Sequence, residues 1–186
     1  MSVQIAKRLF NVREYERMGE AGIFHEDDRV ELIEGEIIEM SPIGERHAAC
    51  VDLLAELLRE QLQRKVIIRV QSPIQLGAHS EPQPDLALLK RRDDFYRDAH
   101  PTPVDVLLVV EVSDTTVEYD RQIKVPAYAR AGIEEVWLVN LKDDRIELYV
   151  QPAGGAYQSI NNAQRGETAA SQSIPGLALE VDAVLG

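Results

Sequence analysis

Residues 104–116 read VDVLLVVEVSDTT, and the apolar run within them carries one carboxylate, Glu111, near its end. A near-continuous run of β-branched and leucyl residues is typical of a central strand that is covered on both faces. Because strand side chains alternate between faces, Glu111 shares its face with Val109 and Ser113. Burying an ionised carboxylate is costly unless it is paired, hydrogen-bonded or bound to a metal. The sequence therefore predicts a partner for Glu111 inside the fold.

The size and composition of the chain indicate a globular protein. It has 186 residues, of which 45% are hydrophobic and 28% charged, so we expect a single domain over residues 1–186. Its longest apolar run is far shorter than the roughly 18 residues that a membrane helix needs, and residues 1–10 lack the apolar stretch of a signal peptide. We therefore expect a cytoplasmic protein with no membrane contact. The single cysteine, Cys50, excludes an internal disulfide, and we expect it in the core.

The charge balance limits how the protein can bind nucleic acid. There are 20 basic and 32 acidic residues, which gives a net charge of −12. This argues against binding nucleic acid mainly by neutralising its phosphates. It is compatible with an acidic metal site, because clustered carboxylates stay negative until a divalent cation occupies them. One basic and aromatic segment, KRRDDFYRD at residues 90–98, could contact phosphate, but its interleaved aspartates favour a solvated loop.

Three elements are predicted in the first third of the chain. Asn11 followed by Glu14 is typical of a capping box, and it predicts a helix over residues 12–20 that ends before Gly22. The segment RVELIEGEIIEM, with a Glu34-Gly35 pair between apolar stretches, predicts a β-hairpin. The segment ERHAACVDLLAELLREQLQ places apolar residues at steps of three and four, which predicts a long amphipathic helix.

Five strands are predicted in the remainder, and each is short and rich in β-branched or aromatic residues. Their sequences are KVIIRVQSPIQLG, PDLALLK, VDVLLVVEVS, EVWLVNL and RIELYVQ. Between the third and fourth lies a predicted helix, about Glu118 to Ala131, which Pro126 should kink or restart near Lys124. Strand, helix and strand at this spacing predict a parallel βαβ unit. The final residues, IPGLALEVDAVLG, are weakly patterned and fit a peripheral strand or turn. The fold class is thus α/β or α+β.

A second strand acid accompanies Glu111. Asp85 follows Pro84 and precedes an apolar strand. If the two strands are antiparallel neighbours, both carboxylates lie at the same edge of the sheet, in the arrangement that a hard divalent cation prefers. Taken singly, Asp85 also fits a turn acid at a strand entry, and Glu111 fits a core acid paired with an arginine.

The order of these residues resembles a known family. Pro84-Asp85, then Glu111-Val112-Ser113, then Asp120, Lys124, Tyr128 and AGIEEVWLV resemble the Uma-two family of restriction-endonuclease-like proteins. That family is similar to the wider PD-(D/E)XK nuclease superfamily, and the resemblance covers nearly the whole chain. It implies a restriction-endonuclease-like core, in which helices flank a mixed β-sheet. It also implies metal-dependent hydrolysis of nucleic acid, DNA above all, by a homo-oligomer, with a dimer favoured.

The resemblance assigns a metal site. Asp85 and Glu111 would bind Mg²⁺ or Mn²⁺, and Glu34 in the hairpin would supply an additional acid to the metal or its waters. His47, early in the long helix, would lie close to the site, although a lone helical histidine is more often a surface or packing residue.

The resemblance also assigns a lysine. The superfamily usually has lysine two residues after its second acid, where this chain has Ser113. In some branches that lysine has moved to the next helix, and Lys124 matches that position. It would orient or help deprotonate the attacking water and stabilise the developing phosphorane charge. Asp120 and Tyr128 lie four residues to either side of it, on one helix face, and Tyr128 fits packing as well as substrate contact.

A second function class stays open. The net charge of −12 and the serine at position 113 also fit a catalytically silent protein that keeps the nuclease fold. Such a protein would act as a homo-oligomeric binding or regulatory protein.

Overall fold

A mixed sheet of six strands forms the centre of the protein and carries helices on both faces. The computed structural model describes residues 6–25 and 27–186. The helices and strands before the central strand are α1 (Val12–Glu20), β1 (Val30–Ile33), β2 (Glu36–Glu39), α2 (Glu45–Leu62), β3 (Val66–Val70) and β4 (Leu86–Lys90). The next are β5 (Val106–Ser113), α3 (Val117–Tyr119), a π-helical turn (Asp120–Lys124), α4 (Val125–Ala131) and β6 (Glu135–Asn140). The last are β7 (Arg145–Ala153), β8 (Ala156–Gln164), β9 (Thr168–Ala170), β10 (Ala178–Glu180) and α5 (Val181–Leu185).

The strand order of the central sheet is β3-β4-β5-β6-β7-β8. The pair β5 and β6 is parallel, as the βαβ pattern predicted, and the other neighbouring pairs are antiparallel. In the β4–β5 register Leu86 lies opposite Val110. The residues just beyond this pair, Asp85 and Glu111, therefore come together at one edge of the sheet.

Hydrophobic residues pack on both faces of this sheet. On one face α2 contributes Leu54 and Leu58, which are fully buried, and α5 contributes Val184. Cys50 lies in the same core, as predicted, and its thiol donates a weak hydrogen bond to the Val184 carbonyl at 3.4 Å. On the other face, Tyr128 of α4 packs over β5 and β6. Burial of both faces explains the continuous apolar sequence of β5.

The predicted local signals at the start of the chain are present. The Asn11 side chain accepts from the Glu14 backbone N–H, and the Glu14 carboxylate accepts from the Asn11 N–H, which completes the capping box of α1. Residues 34 and 35 form the turn between β1 and β2. Within the part of the chain that the structure describes, no helix has the length and apolar character to cross a membrane.

The helix between β5 and β6 differs from a simple kink at Pro126. Residues 120–124 form a π-helical turn, closed by a bond from the Val125 N–H to the Asp120 carbonyl. Pro126 then lies in the first turn of α4, where a proline needs no N–H partner. The predicted end of the helix at Gly132 is correct, since this residue adopts φ 79°.

Gly35 has a conformation and a close contact that exclude a side chain. Its φ is +82°, and an added Cβ would lie 2.6 Å from the Leu9 Cβ. Gly35→Ala should therefore lower the free energy of unfolding by about 1–3 kcal/mol, as measured by urea denaturation. Gly19→Ala in α1 is the matched control, because nothing lies within 4 Å of its Cβ position. That change should stabilise the protein by up to about 1 kcal/mol, and equal effects of the two changes would contradict the account of this turn.

Candidate functional site

A cavity of about 460 Å³ opens at the sheet edge where β4 begins and β5 ends. The β1–β2 hairpin, the start of α2 and the π-helical turn form the rest of its wall. Its lining includes most of the ionisable residues that the sequence predicted for the site: His47, Asp85, Glu111, Asp120 and Lys124. It also includes Glu31, which the sequence did not predict.

Asp85 is held by three donors. Its Oδ2 accepts from the Val112 N–H at 2.9 Å and lies 3.0 Å from His47 Nε2, while Oδ1 accepts from the Gln71 amide at 3.2 Å. Burial opposes ionisation of this carboxyl, but the hydrogen bond and charge of His47, the charge of Lys124 and the Val112 N–H together outweigh it and lower the pKa of Asp85. The same bond raises the pKa of His47. Asp85 is therefore an ionised carboxylate with a fixed orientation.

Glu111 is buried directly beside Asp85. Its side chain is 3% exposed, and its Oε2 lies 3.4 Å from the Asp85 backbone nitrogen. The other oxygen, Oε1, lies 2.8 Å from Lys124 Nζ and also accepts from the Tyr128 hydroxyl. Burial raises the pKa of Glu111 to about 8, and the neighbouring charges of Asp85 and Asp120 add to the effect against the opposing charge of Lys124.

Lys124 projects from the π-helical turn into the same site. Its Nζ lies 2.8 Å from Glu111 and 3.4 Å from Glu31, and its side chain is 7% exposed. Burial disfavours the ammonium, but Glu111, Glu31 and Asp120 together raise the pKa of Lys124 well above its usual value. The lysine is therefore a fixed cation among carboxylates.

Asp120 and Ser113 form a separate buried contact at the edge of the site. Ser113 is fully buried, and its hydroxyl donates to Asp120 Oδ2, which also accepts from Thr116 at 2.8 Å. The serine in the usual lysine position thus fixes the start of the π-helical turn. Ser113 itself does not line the cavity. The lysine that reaches Glu111 is Lys124, from the π-helical turn.

The additional acid expected at Glu34 lies elsewhere. Glu34 is in the exposed hairpin turn, where its carboxylate pairs with Arg130 at 2.7 Å, and it does not line the cavity. Glu31, three residues earlier in β1, is 1% exposed and contacts Lys124. Sequence reasoning missed Glu31, although it carries the same signal as Glu111, a lone acid within a short apolar strand.

Tyr128 and the basic segment at residues 90–98 have packing contacts. Tyr128 is fully buried beneath Glu111 and does not line the cavity. In the segment, Arg91 stacks on Phe95 at 4.6 Å, and Arg92 stacks on Tyr96 at 4.4 Å and pairs with Asp94. These contacts are internal to the loop.

A second ionic cluster, which the sequence did not reveal, anchors the π-helical turn. Arg121 of that turn forms a forked pair with Glu147 of β7, at 3.2 and 2.7 Å. Arg145 and the Tyr149 hydroxyl also donate to Glu147. Burial opposes ionisation, but these hydrogen bonds lower the pKa of Glu147 to about 2. A bidentate arginine pair constrains orientation as well as distance, so it fixes the segment that carries Lys124.

A family model described as "Uma2: Putative restriction endonuclease" matches residues 12–182. The chain belongs to the Uma2 family. This confirms the predicted family, and it covers all the residues of the site.

The Uma2 chain also shares its fold with a solved structure. That protein, from Anabaena variabilis, is described as "a putative nuclease belonging to DUF820". The two chains are 14% identical and superpose with a TM-score of 0.66, over 84% of this chain and 89% of that one. The likeness confirms the predicted fold class, a mixed sheet flanked by helices. No curated protein matches the sequence.

The donor set of the Uma2 site suits a hard cation held by few protein ligands. Within residues 6–25 and 27–186, no group of three or more His, Cys, Asp or Glu side chains converges closely enough to hold a metal. Mg²⁺ is commonly held by one or two carboxylates and keeps several waters, which fits the pair Asp85 and Glu111. Six acids line the cavity together with Arg29, Lys124 and the imidazole of His47: Glu31, Glu39, Asp85, Glu111, Asp114 and Asp120. A divalent cation would balance this excess of negative charge.

Glu81 is a buried acid of the Uma2 fold that lies outside the cavity. It is 5% exposed, and its Oε2 has no hydrogen-bond partner among the described residues. Burial raises the pKa of Glu81 to about 7, with a further contribution from Glu16. Between pH 4.5 and 7 the unfolded chain therefore releases a proton that the folded chain retains, so the free energy of unfolding falls as pH rises through this window.

Glu81→Gln should remove the part of this pH dependence that Glu81 contributes. At pH 8 the variant should be more stable than the wild type by about 2–3 kcal/mol, and at pH 4.5 the two should agree within roughly 0.5 kcal/mol. Urea denaturation at both pH values measures the difference. Glu56→Gln, at an exposed position of α2, is the control, and its stability should depend on pH as that of the wild type does. A Glu81→Gln variant whose stability changes with pH as the wild type does would contradict this assignment.

Proposed function

We propose that this Uma2 protein is a divalent-metal-dependent nuclease that hydrolyses phosphodiester bonds of nucleic acid, with DNA as the expected substrate. One observation carries the proposal. Lys124 lies 2.8 Å from Glu111, and both residues line an open cavity together with Asp85. The lysine comes from the π-helical turn, whereas the usual motif has it on the strand that carries the second acid. Two strand acids and a lysine are thereby combined although position 113 is a serine.

Asp85 and Glu111 would hold the cation, which we expect to be Mg²⁺ or Mn²⁺. When bound, it would act as a Lewis acid toward the scissile phosphate. Asp85 is already ionised and oriented by His47 and the Val112 N–H. Glu111 must give up its proton to act as a ligand, because metal ligands bind in their deprotonated form. Its pKa of about 8 supports metal binding that strengthens as pH rises toward 8.

Lys124 would act as a cation in this reaction. Its raised pKa keeps it protonated at neutral pH, so an ammonium is present to orient the attacking water and to stabilise charge that develops on the phosphate oxygens. Direct proton abstraction by Lys124 is disfavoured by the same raised pKa. Glu31, which lies 3.4 Å from Nζ, would help Glu111 to hold the ammonium in position.

The net charge of −12 constrains how substrate approaches. An acidic cavity repels phosphate, and the Lys124 ammonium is already engaged with Glu111 and Glu31. Neutralisation by the bound cation would therefore be a condition for substrate binding as well as for chemistry. This supports a strict requirement for the metal.

The silent alternative has a specific observation in its favour. Protein groups already satisfy both Asp85 oxygens and the Glu111 oxygen that faces Lys124. A site that is complete without a cation fits a protein that retains the fold for binding or regulation.

Cleavage assays distinguish the two functions. Plasmid, linear and branched DNA, and RNA, would be incubated with Mg²⁺ or Mn²⁺ or with EDTA. We expect metal-dependent cleavage by the wild type, and a loss of about 100-fold or more in Asp85→Asn, Glu111→Gln and Lys124→Met, the order expected when a group acting on the reacting atoms is removed. Circular dichroism and thermal melts would establish that each variant is folded.

Two glutamates provide a matched comparison within the hairpin. Glu31→Gln should reduce cleavage strongly, because it removes a charge that holds Lys124. Glu34→Gln should leave cleavage unchanged, because Glu34 pairs with Arg130 outside the cavity. Cleavage that survives in folded Asp85→Asn and Glu111→Gln would contradict the site. Inactivity of the wild type on all substrates and metals would favour the silent binding protein.

A further inference from the structure

Strand β8 is an open edge of the central sheet. Its neighbour in the sheet is β7, and no strand of the described residues pairs with its other side. The strand is nine residues long, about 30 Å of extended chain. Its outer row of N–H and C=O groups is therefore a template for another strand.

This edge lacks the features by which proteins usually protect exposed strands. Natural edges are short, or carry charges, proline or bulges that oppose pairing. Strand β8 reads AYQSINNAQ, with no charge and no proline, and its central residue, Ile160, is 56% exposed. The opposite edge, β3, is only five residues long. It contains Arg69, and Lys65 directly precedes it. The protein thus protects one edge of its sheet and leaves the other open.

Charge favours a second copy of the chain as the partner. Residues 151–164 contain no charged residue, in a chain with a net charge of −12. Two such chains repel one another over most of their surfaces, so self-association is least costly where the surface is neutral. An acidic or basic partner would gain no charge complementarity from this strand.

We propose that β8 is a homodimer interface, in which two copies pair their β8 strands antiparallel and continue the sheet across a twofold axis. A twofold contact is self-complementary, so a residue on the axis faces its own counterpart, and every other residue faces the one equally far from the axis on the other side. The midpoint of β8 is Ile160, and its apolar side chain would be covered by the Ile160 of the second copy. The interface is independent of the proposed nuclease activity, because none of its residues lines the cavity.

Sedimentation velocity tests the dimer directly. The wild-type chain should sediment at twice its monomer mass at micromolar concentration. Ile160→Lys places two like charges opposite one another and should weaken association at least about tenfold, since like charges directly opposite destabilise strand pairing. Ile23→Lys is the matched control, at an isoleucine that is 62% exposed outside the sheet, and it should remain dimeric. A monomeric wild type at 100 µM, or Ile160→Lys that is as dimeric as the control, would overturn the proposal.

Cysteine cross-linking tests the register and does not depend on the folding of a charged variant. Antiparallel partners on a twofold axis have Cα atoms about 4.5–5.5 Å apart, which is within disulfide range. Ile160→Cys should therefore give a covalent dimer under mild oxidation, and an equimolar mixture of Ser159→Cys and Asn161→Cys should cross-link better than either variant alone, because these two positions face each other across the axis. Cys50 is buried and should not react. A wild-type dimer with no cross-link at any of these positions, or with equal yield from Ile23→Cys, would place the interface elsewhere.

Discussion

The contact between the Lys124 ammonium and Glu111, buried among further acids, is the interaction on which the site depends. A buried charge is tolerated when its geometry is good and its remaining hydrogen bonds are made. Here the register of β4 and β5 fixes Glu111 beside Asp85, and the Arg121–Glu147 pair fixes the turn that carries Lys124. The fold therefore holds an excess of carboxylates around one ammonium, an arrangement that stability alone does not require.

This excess links stability to function. Since burial raises the pKa of Glu111 to about 8, the metal-free protein reduces its internal repulsion by retaining a proton. Asp85 and Glu111 would hold a divalent cation once Glu111 has lost that proton, which would leave the Lys124 ammonium available to substrate. The bound cation would neutralise part of the negative charge of the site. The net charge of −12 is therefore compatible with a nucleic acid substrate.

Much of this arrangement was predictable from local sequence patterns. Asp85 and Glu111 were identifiable because an acid inside or directly before an apolar strand needs a partner. The antiparallel pairing that brings them together was a condition that the sequence left open, and the structure meets it. The capping box, the hairpin and the long amphipathic helix are local signals, and the structure has all three. Glu34 was expected at the site only because of the family resemblance, whereas Glu31 is a lone acid within a short apolar strand, as Glu111 is. Three features could not be predicted, because they depend on tertiary contacts or have polar sequences without hydrophobic periodicity. They are the π-helical turn, the Arg121–Glu147 pair and strand β8.

The central claim is that Asp85 and Glu111 together bind a divalent cation. Its most direct test is a crystal structure of the wild-type protein at pH 8 with Mn²⁺, in which anomalous scattering locates the metal. We expect one ion within about 2.1–2.3 Å of a carboxylate oxygen from each residue, with Lys124 displaced from Glu111. A cavity without an anomalous peak at saturating Mn²⁺, and with the Lys124–Glu111 contact intact, would contradict the claim.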